Sequence, residues 1–274
     1  MRTGVVLRAM FALATISMAG QIATGIHLVD VRFTGDTRLD GVDLKKCAAD
    51  LKSRMYVGPQ WTDSLSEPVI QHLQDRGYFK AMVKASTQQL PDRHYTHQFV
   101  ITFDIDAGPQ YRLEHITFRN NHALSNAQAL RNLFPIKDGE IFSREQIAQG
   151  LENLRKAYGE FGYINYTGVP ATTFDDEKRI AFLEMDVDEG KQFFVSSIDI
   201  VGADARVLND LALRPGQIYN GRLVELFLRK HLPGADVNDP NIEHRLLNEQ
   251  DGTVALTFDF RQPPKLSNPS ILVR

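Results

Sequence analysis

Apolar residues along this chain follow two spacings, and the two alternate in the same order three times. Val29, Val31 and Phe33 alternate with Asp30 and Arg32; Ile116 and Phe118 alternate with His115 and Thr117; Ile198 and Ile200 flank Asp199. Such period-two runs predict short strands with one side-chain row toward a core and the other toward water. A helical stripe follows each: Leu44, Cys47, Ala48 and Leu51; then Leu130, Leu133 and Phe134; then Val207, Leu208 and Leu211. Gly58, Gly139 and Gly216 close these stretches. A second helix is predicted to start at Trp61-Thr62, Phe142-Ser143 and Tyr219-Asn220, where a side-chain oxygen can accept from an unpaired backbone N–H. Ser125 with Gln128, and Ser143 with Gln146, have the spacing of a capping box. Ile147, Leu151, Leu154, Tyr158 and Phe161 recur at helical spacing, so one side of that helix is buried.

The second helix stops at Gly77-Tyr78-Phe79 and Gly162-Tyr163-Ile164, and at Leu232-Pro233-Gly234-Ala235 in a shorter third copy. A hairpin then closes each copy. Its first strand is predicted over residues 79–88 and 163–169, and polar loops over 90–96 and 174–178. Its second strand alternates through Phe99, Ile101, Phe103 and Ile105, then Ala181, Leu183, Met185 and Val187, then Val254, Leu256, Phe258 and Phe260. The fold class is α+β: tandem β-α-α-β-β units, each with two helices packed on a three-stranded mixed sheet. Tyr78 and Tyr163 stand 85 positions apart, a period that means one small folding unit used repeatedly. The predicted units are 26–108, 109–190 and a degenerate 191–262, with a tail, 263–274, expected to be disordered. Residues 106–110 and 188–192 join them, too short for flexible linkers, which predicts a semi-rigid arrangement.

Arg2 and Arg8 precede an uncharged apolar run from Ala9 to Ala19, and Ser17-Met18-Ala19 ends it with small residues. Residues 1–19 thus read as a cleaved secretory signal peptide, which places the mature chain outside the cytoplasm. The net charge is −3, and −5 once Arg2 and Arg8 are removed, which argues against nucleic acid and against polybasic lipid binding. Cys47 is the only cysteine, so no internal disulfide forms.

Candidate chemistry is sparse. Asp104 with Asp106, and Glu184 with Asp186 and Asp188, are paired carboxylates, but alternation puts each set on the outward row of a strand, and the calcium-loop pattern is missing. His94 and His97 share a polar loop without a third ligand, and His115, His122, His231 and His244 form no triad. Cys47 lies on an apolar helix face and reads as a buried structural thiol. Trp61, Phe142 and Tyr219 recur at one place in the repeat and read as core. These readings yield no catalytic residue, no cofactor and no metal site.

The strand ending in Phe118-Arg119-Asn120, the turn Ile136-Lys137-Asp138-Gly139-Glu140, the helix leading to Gly162-Tyr163-Ile164, and Val187-Asp188-Glu189-Gly190 resemble POTRA (polypeptide-transport-associated) domains. Such domains form the periplasmic arms of BamA- and TamA-type outer-membrane assembly proteins. The resemblance covers about residues 26–262 and is weakest in the third copy. Only thirteen residues follow Arg261, so an arm without a membrane β-barrel is expected. The resemblance implies a non-enzymatic periplasmic scaffold, associated with the outer membrane of a two-membrane bacterium only through partners. Those partners would be unfolded outer-membrane polypeptides, assembly factors or a separate β-barrel protein. If the family's strand order holds, the middle strand of each unit lies at a sheet edge and takes an extended client by strand addition. The residues expected there are Met82, Lys84 and Ser86 in the first unit and Ile164, Tyr166 and Gly168 in the second. Lys80 and Lys84 read equally well as charges that protect an edge from pairing. Two rival readings stand: a spacer that docks partners through its helix faces, and an enzyme with an unrecognised site.

Overall fold

A computed structural model describes residues 25–261, apart from 59, 94–95 and 237–238. The expected leader (1–19), the tail (263–274) and His94 lie outside the described residues. Three successive three-stranded sheets organise the chain. The first unit holds β1 (Gly25–Asp36), α1 (Gly41–Ser53), α2 (Ser66–Asp75), β2 (Met82–Arg93) and β3 (Thr96–Asp106). The second holds β4 (Arg112–Arg119), α3 (Ala127–Arg131), α4 (Arg144–Glu160), β5 (Thr167–Asp175) and β6 (Ile180–Asp188). The third holds β7 (Phe194–Val201), a 3-10 turn over Ala205–Asp210, α5 (Gly221–His231), β8 (Glu243–Asn248) and β9 (Thr253–Asp259).

The α+β class and the mixed sheets are as the periodicity indicates. In each sheet the last strand lies in the centre, parallel to the first and antiparallel to the middle one: β1-β3-β2, β4-β6-β5 and β7-β9-β8. The alternating apolar rows of β3, β6 and β9 supply the buried floor, for example Ile101, Phe103 and Ile105, or Leu183, Met185 and Val187. Each unit closes its own core over that floor, so three separate apolar clusters form rather than one. The first strand of each unit carries a register shift at the same place, around Val29, Glu114 and Ser196.

Several local expectations change. α3 is capped by Asn126, whose Oδ1 accepts from the Ala129 N–H at 3.0 Å, and not by Ser125. α2 begins at Ser66 with no side-chain cap, because Trp61 is drawn onto Phe99 (centroids 4.7 Å apart) and 61–65 form a turn instead. Ser143 and Asn220 do cap α4 and α5, accepting from the Gln146 and Leu223 N–H groups. The third unit's first helix is the 3-10 turn, capped by Asp204. The hairpin strands start three or four residues later than expected and run further, β2 to Arg93 and β5 to Asp175, taking up most of the first anticipated loop and the start of the second. Residues 78–81 and 163–166 form turns instead, with Ala81 N–H donating to the Tyr78 carbonyl and Tyr166 N–H to that of Tyr163. Their aromatic and aliphatic side chains gain more from core burial than from a place on an exposed edge.

Candidate functional site

Two features of the fold stand out as candidate surface: the free sheet edges and the joints between units. Among the described residues no strand pairs with the outer side of β2, β5 or β8. β2 is the longest of these edges, and residues 84–89 are exposed on both faces of the strand. Met82, Lys84 and Ser86 lie on it opposite Asp106, Asp104 and Thr102, on the row facing away from the helices. Met82 keeps 62% of its surface exposed, and Ser86 Oγ donates to the Thr102 carbonyl at 3.3 Å. β5 is shorter, and residues 169–173 are exposed on both faces. Pro170 sits inside it, which an edge position allows because its missing N–H costs no ladder bond there.

The second-unit residues expected on the edge do not share one place. Gly168 is in β5, but Ile164 and Tyr166 precede the strand. Tyr166 stacks on Tyr158 at 4.3 Å between centroids, and burial pushes its phenol up to about 12. A Cβ at Gly168 would collide with the Tyr166 hydroxyl, so that glycine makes room for a core aromatic. Ile164 packs against the apolar cluster of the next unit. Ile164 and Tyr166 therefore belong to packing, and the exposed second-unit edge is 169–173.

The joints repeat one backbone arrangement. Tyr111 N–H donates to the Gly77 carbonyl at 3.0 Å, and Phe193 N–H to the Gly162 carbonyl at 2.9 Å. Gln110 and Gln192 side chains donate to the Arg76 and Phe161 carbonyls just before those glycines. Phe79 and Ile164 then cross into the next unit's core; the Phe79 ring lies 4.7 Å from Phe142 and 5.7 Å from Phe174. At the first joint Asp176, in the β5–β6 turn, reaches back. Asp176 accepts from Lys80 Nζ at 2.6 Å and from the Tyr111 hydroxyl at 2.7 Å, and both bonds hold its carboxyl below the usual range. Asp75, at the end of α2, accepts from the Glu145 N–H at 2.9 Å and so caps the start of α4 from the preceding unit. The sequence marks Gly77, Phe79, Lys80, Gly162 and Ile164 as helix stops or edge residues and gives none of them a role across a joint; the equal spacing of Phe79 and Ile164 was the available signal.

The other candidates have structural partners. Arg119 lies 3.1 Å from Glu184 and 3.8 Å from Asp186, and Asp106 and Asp188 accept from the Gly108 and Gly190 N–H groups in the linkers. His97 is half-buried and pairs with Asp92 at 3.0 Å. Cys47 is fully buried, and burial pushes its thiol up to about 12, far from a reactive thiolate. Among the described residues no three metal-ligating side chains gather, and no helix is long and apolar enough to cross a membrane.

Comparison with known proteins adds four findings. The family described as POTRA, "Surface antigen variable number repeat", matches residues 111–190, the second unit. The outer membrane protein assembly factor BamA of Buchnera aphidicola is 23% identical over 171 residues, covering 60% of this chain and 27% of that protein. The chain thus spans about a quarter of the length of this curated relative. Among solved structures, POTRA3-5 of Haemophilus influenzae BamA superposes with a TM-score of 0.65 at 19% identity, covering 88% of this chain and 98% of that one. POTRA1-3 of Anabaena Omp85 matches over 86% of this chain and 95% of that one, at 15% identity and a TM-score of 0.36.

Proposed function

We propose, from the premise that this is a POTRA-domain protein, that it is a non-enzymatic scaffold in outer-membrane protein assembly or transport. It works in the periplasm, reaches the outer membrane through its partners, and holds unfolded outer-membrane polypeptides or assembly factors by strand addition. The observation that carries this reading is the strand order. Placing the last strand in the centre leaves β2 and β5 with one unpaired side each, and both are exposed front and back along their middles. An unpaired edge offers N–H and C=O groups in register to any extended chain, largely without regard to its sequence. The likeness to BamA supports the assembly setting.

Photo-crosslinking tests it. A crosslinker at Lys84 or Ala171 is expected to label unfolded outer-membrane polypeptides in a periplasmic extract, and one at the exposed helix position Lys45 to label far less. Labelling at Lys45 and none at the edges would favour the spacer reading, in which helix faces dock partners. The packed joints, with Phe79 and Ile164 seated in the following core, are the observation on that side.

A further inference from the structure

Between the second and third units lies a groove of about 350 Å³ whose cations outnumber the carboxylates that reach them. Its walls are α4, with Arg155 and Lys156; α5, with Arg222 and Leu228; and the edge strand β8, with Arg245. Arg155 and Lys156 both turn to one carboxylate, Glu152, at 2.7 and 3.7 Å. Arg245 places Nε and Nη2 on Glu243, each at 2.7 Å, and its guanidinium lies 5.3 Å from the centre of the Tyr219 ring. Arg222 stands 3.6 Å from Glu160, while Glu225 turns to Arg229. Arg155 and Arg245 are close enough to oppose each other: Glu152 raises the pKa of Arg155, and burial and the charge of Arg245 pull it back. One positive charge in this groove is therefore uncompensated, in a chain whose net charge is −3.

The third edge differs from its counterparts at this point. Arg245 pairs with Leu256, at the register place where β5 has Thr172 opposite Leu183 and β2 has Thr87 opposite Ile101. Only the third edge sets a cation there, and only there does a helix of the preceding unit bring another beside it. The rest of the floor is apolar, with Ile164 and Leu228.

We propose that this groove selects acidic extended polypeptide: a strand paired along β8 sets an Asp or Glu side chain between Arg155 and Arg245, and an aliphatic side chain two residues along beside Leu247. Charge complementarity asks for an anion, and the groove opens along an unpaired strand edge, which a free anion would not use. The inference rests on the reading that the sheet edges accept strands, and adds to it a preference among clients. Sequence-blind main-chain pairing would supply affinity, and this groove would supply selection.

The test uses the full mature chain and three labelled peptides of alternating Thr and Val that differ at one central residue, Glu, Gln or Lys. In fluorescence anisotropy at low salt the Glu peptide is expected to bind about tenfold tighter than the Gln peptide, the worth of one charge-assisted hydrogen bond, with Lys weakest. Arg155→Gln, on an exposed helix face, is expected to bring Glu and Gln peptides within twofold while leaving thermal unfolding unchanged. Arg245→Thr, which copies the second unit, is expected to do the same. Equal binding of all three peptides would overturn the proposal yet leave strand addition standing. Loss of the Glu preference in millimolar inorganic phosphate would overturn it in favour of a free-anion site. No binding of any peptide, with no crosslinking at Lys84 or Ala171, would end both readings.

Discussion

The two joints share a backbone frame and differ in what fills it. In each, a glycine with positive φ after a helix (Gly77, +86°; Gly162, +82°) lends its carbonyl to the residue just before the next unit's first strand. In each, the residue two positions on enters the following core. At the first joint that residue is aromatic and is held by two further rings, an Asp-capped helix start and the Lys80–Asp176–Tyr111 cluster. At the second it is Ile164, with Asn165 donating to Glu249 and Lys191 Nζ donating to the Glu249 carbonyl at 2.5 Å. The flanking surface differs as well: Arg76 and Arg112 stand around Ile141 in a hollow of the first joint, whereas Phe161 and Phe194, 52% and 40% exposed, stand at the matching places beside Ile218. A repeat thus conserves the hydrogen-bonded hinge and leaves side chains free to set each joint's stiffness and surface.

Phe79→Ala is expected to have the largest effect on this contrast, a loss of about 3 kcal/mol in urea unfolding, against about 2 kcal/mol for Ile164→Ala. Equal losses would mean that the aromatic cluster adds nothing to the first joint. Gly77→Ala and Gly162→Ala are expected to cost about 2 kcal/mol each, since both need positive φ and a Cβ would lie 2.9 Å from the Tyr111 or Phe193 carbonyl oxygen. A tolerated alanine at either glycine would break the claim of a common frame. The smallest expected effect is on pH. Asp176 has a lowered folded pKa, so its contribution is present above the unfolded value of 3.8 and is lost as pH falls through the lowered one. Lys80 has a raised pKa, so its contribution is present below 10.5 and is lost as pH rises through the raised value. Asp176→Asn should therefore flatten the acid limb of the melting-temperature profile, and an unchanged limb would remove the charged cluster from the account of the first joint.

Much of the fold was legible because burial imposes a period. The rows Ile101-Phe103-Ile105 and Leu183-Met185-Val187 identify central strands, since only a strand covered on one face needs such strict alternation. The edge strands are weakly patterned for the opposite reason: residues 84–89 and 169–173 face water on both sides, so nothing in their sequence marks where they begin. That is why Ile164 and Tyr166, each two residues from a glycine, read as strand while they in fact serve two different cores. The third edge went unmarked because nothing local sets Arg245 and Glu243 apart from other surface charges; their company, Arg155 on α4, comes from another unit.

By itself the sequence determined the repeated unit, its central strands and the apolar setting of Cys47, because each follows from local spacing and from which side chains leave water. Tertiary structure alone decided the central place of each last strand, the crossing of Phe79 and Ile164 into neighbouring cores, and the meeting of Arg155 with Arg245. Those contacts join residues far apart in the chain, and no local period records a partner that arrives only when two units pack.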